Sequence, residues 1–253
     1  MILLTVAYDG TGFYGFQKQR EEPTVQSVLH TALEKINRRP TQVRGAGRTD
    51  SGVHAFAQAV CFRPSVDIPV DRWPPALNRE LPDGIWVKSA REVDADFDPL
   101  GWAHWKHYRY RIRRDDSGLP FLANYAWHLF GVLDARAMQR AGDELTGERD
   151  FAAFQVTGRP VRSTVRNMYR LGITEDDHGY CVDLIADGFL YKMARSIVGT
   201  LVEIGRGGMT LRQMCDARDR GDRSSMGPTA PAHGLFLVRV GYEELDDGTI
   251  DAG

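Results

Sequence analysis

The chain has only three cysteines in 253 residues, Cys61, Cys181 and Cys215, far apart and with no Cys-x-x-Cys pair. That excludes a disulfide framework and a thiolate cage, and leaves reduced packing residues. A His-x-x-x-His pair and any other clustered ligand set are also missing, so no metal is expected. A phosphate-binding loop is lacking too. Gly45-Ala-Gly47 begins like a dinucleotide fingerprint, but it continues Arg-Thr-Asp50 and runs into a strand rather than a helix. No nucleotide or other cofactor is expected. Apolar runs stop short of a membrane span, and the chain enters strand-like Ile2–Ala7 without a basic preface. A cytoplasmic protein with no membrane partner is the expectation.

Hydrophobic residues make up 42% and aromatics 10%, enough for a sizeable core in one large domain or two smaller ones. The net charge of −2 hides a segregation. Residues 242–253 carry five acids (Glu243, Glu244, Asp246, Asp247, Asp251) and no base, so residues 1–241 stand at +3. Two stretches are purely cationic: Arg38 to Arg48, with Arg38, Arg39, Arg44 and Arg48, and Lys106 to Arg114, with five cations. Such patches fit phosphate contact. They equally fit a solvated face in a chain where arginine outnumbers lysine 27 to 5.

The densest cluster of unusual residues is Arg44-Gly-Ala-Gly-Arg-Thr-Asp-Ser-Gly-Val-His54. Three glycines bracket Asp50, permitting positive φ and close approach to the main chain. A shaped loop presenting one carboxylate beside Arg48 and Thr49 is one way to build a nucleophile; an Asx-turn between strands explains the same residues. The strand Val53–Phe62 follows, with His54, Phe56, Gln58, Val60 and Phe62 on one face.

Elsewhere, Ile2–Tyr8 reads as a strand. Thr24 caps an amphipathic helix through Val25, Val28, Leu29, Ala32, Leu33 and Ile36. Trp73–Leu81 is a short helix and Ile85–Val93 a strand. Lys106–Arg114 alternates Tyr108, Tyr110 and Ile112 against His107, Arg109, Arg111 and Arg113. A helix is expected from Asp134 to Leu145, a hairpin from Arg166–Thr174 and Tyr180–Ala186, a long helix over Gly188–Gly205, and a last helix behind Thr210. Asp94–Asp98 is a solvated turn, because Pro99 stands where a calcium loop needs glycine.

Four stretches together carry a resemblance: Tyr8-Asp-Gly with Phe13, Gly15 and Gln17; Gly47-Arg-Thr-Asp-Ser-Gly-Val-His54; Tyr108-Arg-Tyr110; and Phe189-Leu-Tyr-x-Met-x-Arg195. In this order they resemble the TruA family of tRNA pseudouridine synthases across essentially the whole chain. The resemblance implies an α+β pseudouridine synthase fold: two similar α/β halves, mostly antiparallel, with flanking helices around a central basic cleft. The halves are expected at 1–104, carrying the Asp loop, and 105–241, carrying the Tyr strand and Arg helix, with 242–253 a disordered acidic tail. It also implies catalysis by Asp50 as nucleophile, with Tyr108 against the base and Arg195 partnering the aspartate. Arg48, Thr49, Tyr108, Arg38, Arg39 and Arg44 would bind substrate. The substrate would be uridine on the 3′ side of the tRNA anticodon stem-loop, flipped out of the stack, and the enzyme a homodimer. One departure is clear: Phe97-Asp-Pro-Leu100 stands where the family usually has His-Ala-Arg, so no basic residue carries over there.

Overall fold

Ile2–Tyr8 is apolar on both faces because it is a central strand, and the rest of the first unit is built outward from it. The computed structural model describes residues 1–114, 120–156 and 161–245. In chain order its regular elements are β1 (Ile2–Tyr8), α1 (Val25–Asn37), β2 (Arg44–Gly45), β3 (His54–Phe62), α2 (Trp73–Asn78), β4 (Ile85–Glu92), β5 (Trp105–Arg114), β6 (Trp127–Leu129), α3 (Ala135–Asp143), β7 (Gly147–Asp150), β8 (Val165–Asp176), β9 (Gly179–Ala186), α4 (Met193–Gly205), α5 (Leu211–Asp219) and β10 (Leu235–Gly241). Contacts divide the chain into two units: Met1–His104 joined by the chain from Phe236, and Trp105–Leu235.

In the first unit β1 pairs antiparallel with both β3 and β4. The backbone of Phe236 and Leu237 in β10 pairs in parallel with His54 and Ala55 of β3. That pairing gives the closing strand to this unit, whereas the sequence alone runs the second half on to residue 241. Thr24 caps α1 as expected: its Oγ1 accepts from Ser27 N at 3.2 Å, and Ser27 Oγ in turn accepts from Thr24 N at 3.0 Å. Two reciprocal bonds fix where the helix starts. Trp73 on α2 is fully buried and meets Phe62 edge-on at 4.8 Å, seating the helix against the sheet.

In the second unit β5, β9, β8 and β7 form consecutive antiparallel pairs, and β6 runs parallel beside β5. The β8–β9 hairpin is the one the sequence predicts. Helix α3 starts behind Asp134, whose Oδ1 accepts from Ala137 N at 2.9 Å. The long helix begins five residues later than its pattern suggests. Lys192 sits in the left-handed region at φ 59° and serves as N-cap, so Gly188–Tyr191 precedes the helix as irregular chain. The stripe itself is as expected, with Leu190, Met193, Ala194, Ile197, Val198 and Leu201 all buried. Strands β2, β6 and β7 carry no sequence signal; each has two to four residues, too few to show a period. The expectation of a disordered acidic tail lies mostly outside the described residues. Among those residues no helix is long and apolar enough to cross a membrane.

Candidate active site

The Asp50 loop is held by the glycine- and aromatic-rich segment that follows β1. Tyr8, at the end of β1, is buried, and its hydroxyl lies 2.8 Å from Thr49 Oγ1. Burial pushes the Tyr8 phenol up to about 12 against the smaller opposing pull of its bonds with Thr49 and Gln58. It therefore stays neutral and available as a donor. Gln58, on the buried face of β3, donates from Nε2 to the carbonyl of Gly47 at 3.1 Å. Phe16 N donates to the Thr49 carbonyl at 3.1 Å, Ser51 Oγ to the Phe13 carbonyl at 3.2 Å, and Val53 N to the Asp50 carbonyl at 3.1 Å. The loop is thus pinned on both sides of the carboxylate that it presents.

Gly15 explains why this segment needs its glycines. It has φ +83°, and a Cβ there would sit 2.7 Å from the Thr49 carbonyl oxygen, a backbone atom. Of the three glycines around Asp50, Gly52 has φ +79°. Gly45 serves a different end: a Cβ on it would strike the Phe16 ring at 2.4 Å. One side-chain hydrogen atom in place of a methyl lets the two segments touch.

His54 closes the arrangement from below. It is 2% exposed and stacks on Phe236 at 4.7 Å. Gly10 N lies 3.0 Å from its Nδ1, and Asp9 Oδ1 lies 3.1 Å from the same nitrogen. One nitrogen cannot accept from the amide and donate to the carboxylate at once. Asp9 Oδ1 already accepts from Thr11 N and Thr11 Oγ1, and a charged ring is costly at this depth. We therefore assign Nδ1 as acceptor from Gly10. Sequence reasoning puts His54 only on a strand face, and no spacing in the chain signals its bond to residue 10.

The cationic candidates of the first unit differ. Arg48 is exposed beside Thr49 and Asp50. Arg38 is exposed as the left-handed C-cap of α1, φ 56°, and Arg39 is exposed next to it. Arg44 is half-buried, and its guanidinium donates to the Phe97 carbonyl at 2.8 Å. That bond ties β2 to the stretch that replaces His-Ala-Arg.

In the second unit Tyr108 on β5 is 8% exposed, with Phe189 edge-on to its ring at 4.8 Å. Tyr110 donates to the Pro231 carbonyl at 2.8 Å, and burial pushes its phenol above the usual range despite Arg195. Arg195, in the first turn of α4, donates from Nε to the Ala230 carbonyl at 2.8 Å, while Ala230 N donates to the Arg195 carbonyl at 3.1 Å. Gly199, one turn on, makes that pairing possible: a Cβ there would fall 1.6 Å from the Pro228 carbonyl oxygen. Arg195 is thereby held by the 228–231 backbone rather than extended into solvent.

The opposite face of β5 is less cationic than its sequence suggests. Asp183 on β9 lies 2.6 Å from His107 Nε2 and accepts from Arg109 Nε at 2.9 Å; on the Tyr108 face, at the strand's end, Glu175 takes Arg114 at 3.3 Å. Burial pushes the Asp183 carboxyl up, but the bonds from His107 and Arg109 outweigh it and hold the group below the usual carboxylate range. Part of the predicted phosphate-tracking stripe is therefore neutralised within the sheet. A surface depression of about 420 Å³ lined by Arg149, Asp150, Arg218, Asp219 and Arg220 contains none of the predicted site residues. Among the described residues no group of three His, Cys, Asp or Glu side chains is placed to hold a metal.

A profile of the PseudoU_synth_1 family, tRNA pseudouridine synthase, matches residues 4–99 and 141–243. The chain belongs to that family. The match takes in both the Asp50 loop and the Arg195 helix. Relatives named tRNA pseudouridine synthase A include that of Thermoanaerobacter sp. (strain X514), 38% identical over 95% of this chain and 99% of its own. Those of Geobacter sulfurreducens and Halalkalibacterium halodurans are 39% and 42% identical, over 95% and 93% of this chain and 99% and 90% of theirs. A chain from the "Structure of H/ACA RNP bound to a substrate RNA containing 2'-deoxyuridine" overlaps with TM-score 0.38 at 12% identity, over 92% of this chain and 59% of that one; so loose a likeness bears no weight on function. As a member of the family the chain is an isomerase that converts uridine to pseudouridine in tRNA.

Proposed function

We propose that the enzyme acts on uridines of the 3′ side of the anticodon stem-loop, with Asp50 as the nucleophile. Pseudouridine formation breaks the N1–C1′ bond, turns the base and joins C5 to C1′. The C5 proton is lost and N1 gains one, so no oxidant or reductant is consumed. A carboxylate suits this chemistry because it can attack a glycosidic carbon or stabilise the positive charge of its departure. The observation that supports Asp50 most is its loop. The chain on either side of the carboxylate is hydrogen-bonded to β1, to β3 and to the 13–16 segment, and such fixation is what a nucleophile needs.

In this reading Tyr108 lies against the extruded base and takes part in proton transfer at C5, and Arg195 favours the ionised form of the aspartate. Arg48 and Thr49, beside the nucleophile, hold the flipped nucleotide, and Arg38, Arg39 and Arg44 assist with the backbone. Extrusion costs a few kcal/mol, which phosphate and stacking contacts offset. The binding role of Arg44 has the least support, since its guanidinium is hydrogen-bonded to Phe97. The enzyme works in the cytoplasm, as a homodimer.

The test uses anticodon stem-loop RNA tritiated at uridine C5. Release of tritium with the RNA chain intact, abolished in Asp50→Asn while binding is kept, is the expected result. Equal turnover by Asp50→Asn would remove the nucleophile assignment, and release of free uracil would turn the reading to a hydrolase.

A further inference from the structure

Lys106 is one of only five lysines in the chain, and its setting is unlike that of a solvated one. On β5 it lies two residues before Tyr108 and so shares its face of the sheet. Its register partner on β9 is Ala186, whose own partner on β8 is Met168. Arg166, two residues before Met168, falls on the same face. Lys106 and Arg166 thus lie diagonally across one face, with the small Ala186 and Gly188 and the buried Met168 between them. Arg166 lies over Gly188, with Nε 3.3 Å from where a Cβ would stand.

Among the described residues neither cation is neutralised. Arg166 spends Nη1 on the carbonyls of Ser163 and Val165. Among the described residues its Nε and Nη2, and Nζ of Lys106, have no protein acceptor, and no carboxylate is within ion-pair distance of either side chain. Asp187, the acid between Ala186 and Gly188, accepts from Asn167 N at 3.1 Å. Burial first, and then the field of Arg166, push the Lys106 ammonium down to about 8. Two cations near each other on one face of the sheet, at a cost to the free protein, make sense when an anion completes them.

We propose that Lys106 and Arg166 form a subsite for a phosphodiester of the substrate RNA, next to the nucleotide that lies against Tyr108. The proposal rests on the reading of the chain as a tRNA enzyme. Arg166 supplies planar donors from Nε and Nη2, Lys106 supplies a point charge, and one phosphate takes both. The subsite belongs to the second unit alone.

The experiment measures binding of a fluorescently labelled anticodon stem-loop RNA across a salt series, alongside tritium release from the same RNA. Lys106→Gln and Arg166→Gln each weaken binding about tenfold, the loss of one charge-assisted contact, and each lowers the slope of log K against log salt by about 0.7 to 0.9. The double variant loses little more than either single one, because both serve one phosphate. Lys106→Arg retains affinity and slope. Lys106→Gln melts no lower than the unmodified protein, since it removes a half-buried charge that faces a second cation. Unchanged affinity and slope in Lys106→Gln would overturn the proposal, as would a lower melting temperature not restored by Lys106→Arg. If the unmodified protein released no tritium while these slopes still changed, the isomerase reading would fall and the anion subsite would stand.

Discussion

Replacing Gly15 by alanine tests whether the segment after β1 sets the Asp50 loop. Gly15 combines a left-handed φ of +83° with a Cβ position 2.7 Å from the Thr49 carbonyl oxygen. The conformation alone costs an L-residue about 1 to 2 kcal/mol. Ordinary contact begins at 3.4 Å, so the Thr49 backbone must retreat by roughly 0.7 Å or the 13–16 segment must lift, adding about 1 to 2 kcal/mol more. For a protein of this size a loss of about 3 kcal/mol lowers Tm by about 6 to 12 °C. The kinetic effect is larger in proportion. Thr49 immediately precedes the proposed nucleophile, and a displacement near 1 Å can cost about 10²-fold in rate. Gly12→Ala is the control: a Cβ there meets nothing within 4 Å, so both Tm and rate stay close to the parent. The assays are thermal melting and single-turnover tritium release at saturating enzyme, which separates chemistry from binding. A Gly15→Ala protein that melts lower but isomerises at the parental rate would refute the link between this segment and the carboxylate. One unchanged in both would refute the packing itself.

Four further outcomes follow from the same structure. Tyr8→Phe leaves the buried Thr49 hydroxyl short of a partner and costs about 1 to 3 kcal/mol in denaturant unfolding. Because the Tyr8 phenol is raised to about 12, the folded state holds a proton that the unfolded state has released above pH 10. Stability is full below pH 10 and declines as pH rises from 10 toward 12, and Tyr8→Phe flattens that part of the curve. Asp183 shifts the other way: its carboxyl lies below the unfolded value near 3.9, so its contribution is present above pH 4 and disappears as pH falls through the folded value. Acid melting of Asp183→Asn therefore shows a shallower loss than the parent. Gly199→Ala does not yield soluble folded protein, because its Cβ would overlap the Pro228 carbonyl at 1.6 Å; a normal melt would contradict the α4 packing. Sedimentation at micromolar concentration gives the mass of two chains, and a single-chain mass with full activity would remove the homodimer.

Much of the site was legible because it is written in contiguous residues. Gly47–His54 announces a shaped loop with one acid, and its neighbours in sequence are its neighbours in space. The capped start of α1, the β8–β9 hairpin and the buried stripe of α4 were equally plain, since each depends on local spacing or on a cap within three residues. Local pattern failed where distant backbone decided. The stripe of α4 extends upstream of the helix because Leu190 is buried too, yet the left-handed Lys192 starts the helix at Met193. The charge pattern of β5 promised an open cationic face, yet Asp183, some 74 residues from Arg109, occupies it.

Sequence by itself determined the strand of Tyr108 and the helix of Arg195, because short-range hydrophobic periodicity suffices for each, and four contiguous motifs carried the resemblance to the family that the comparisons then showed. Only tertiary structure decided what holds them. Tyr8 reaches Thr49 across 41 residues, His54 receives Gly10 across 44, and Arg195 is gripped by Ala230 across 35. Hydrogen bonds between such distant partners have no period in the chain. They exist because folding removes water from both ends at once and each buried polar group must then find the other.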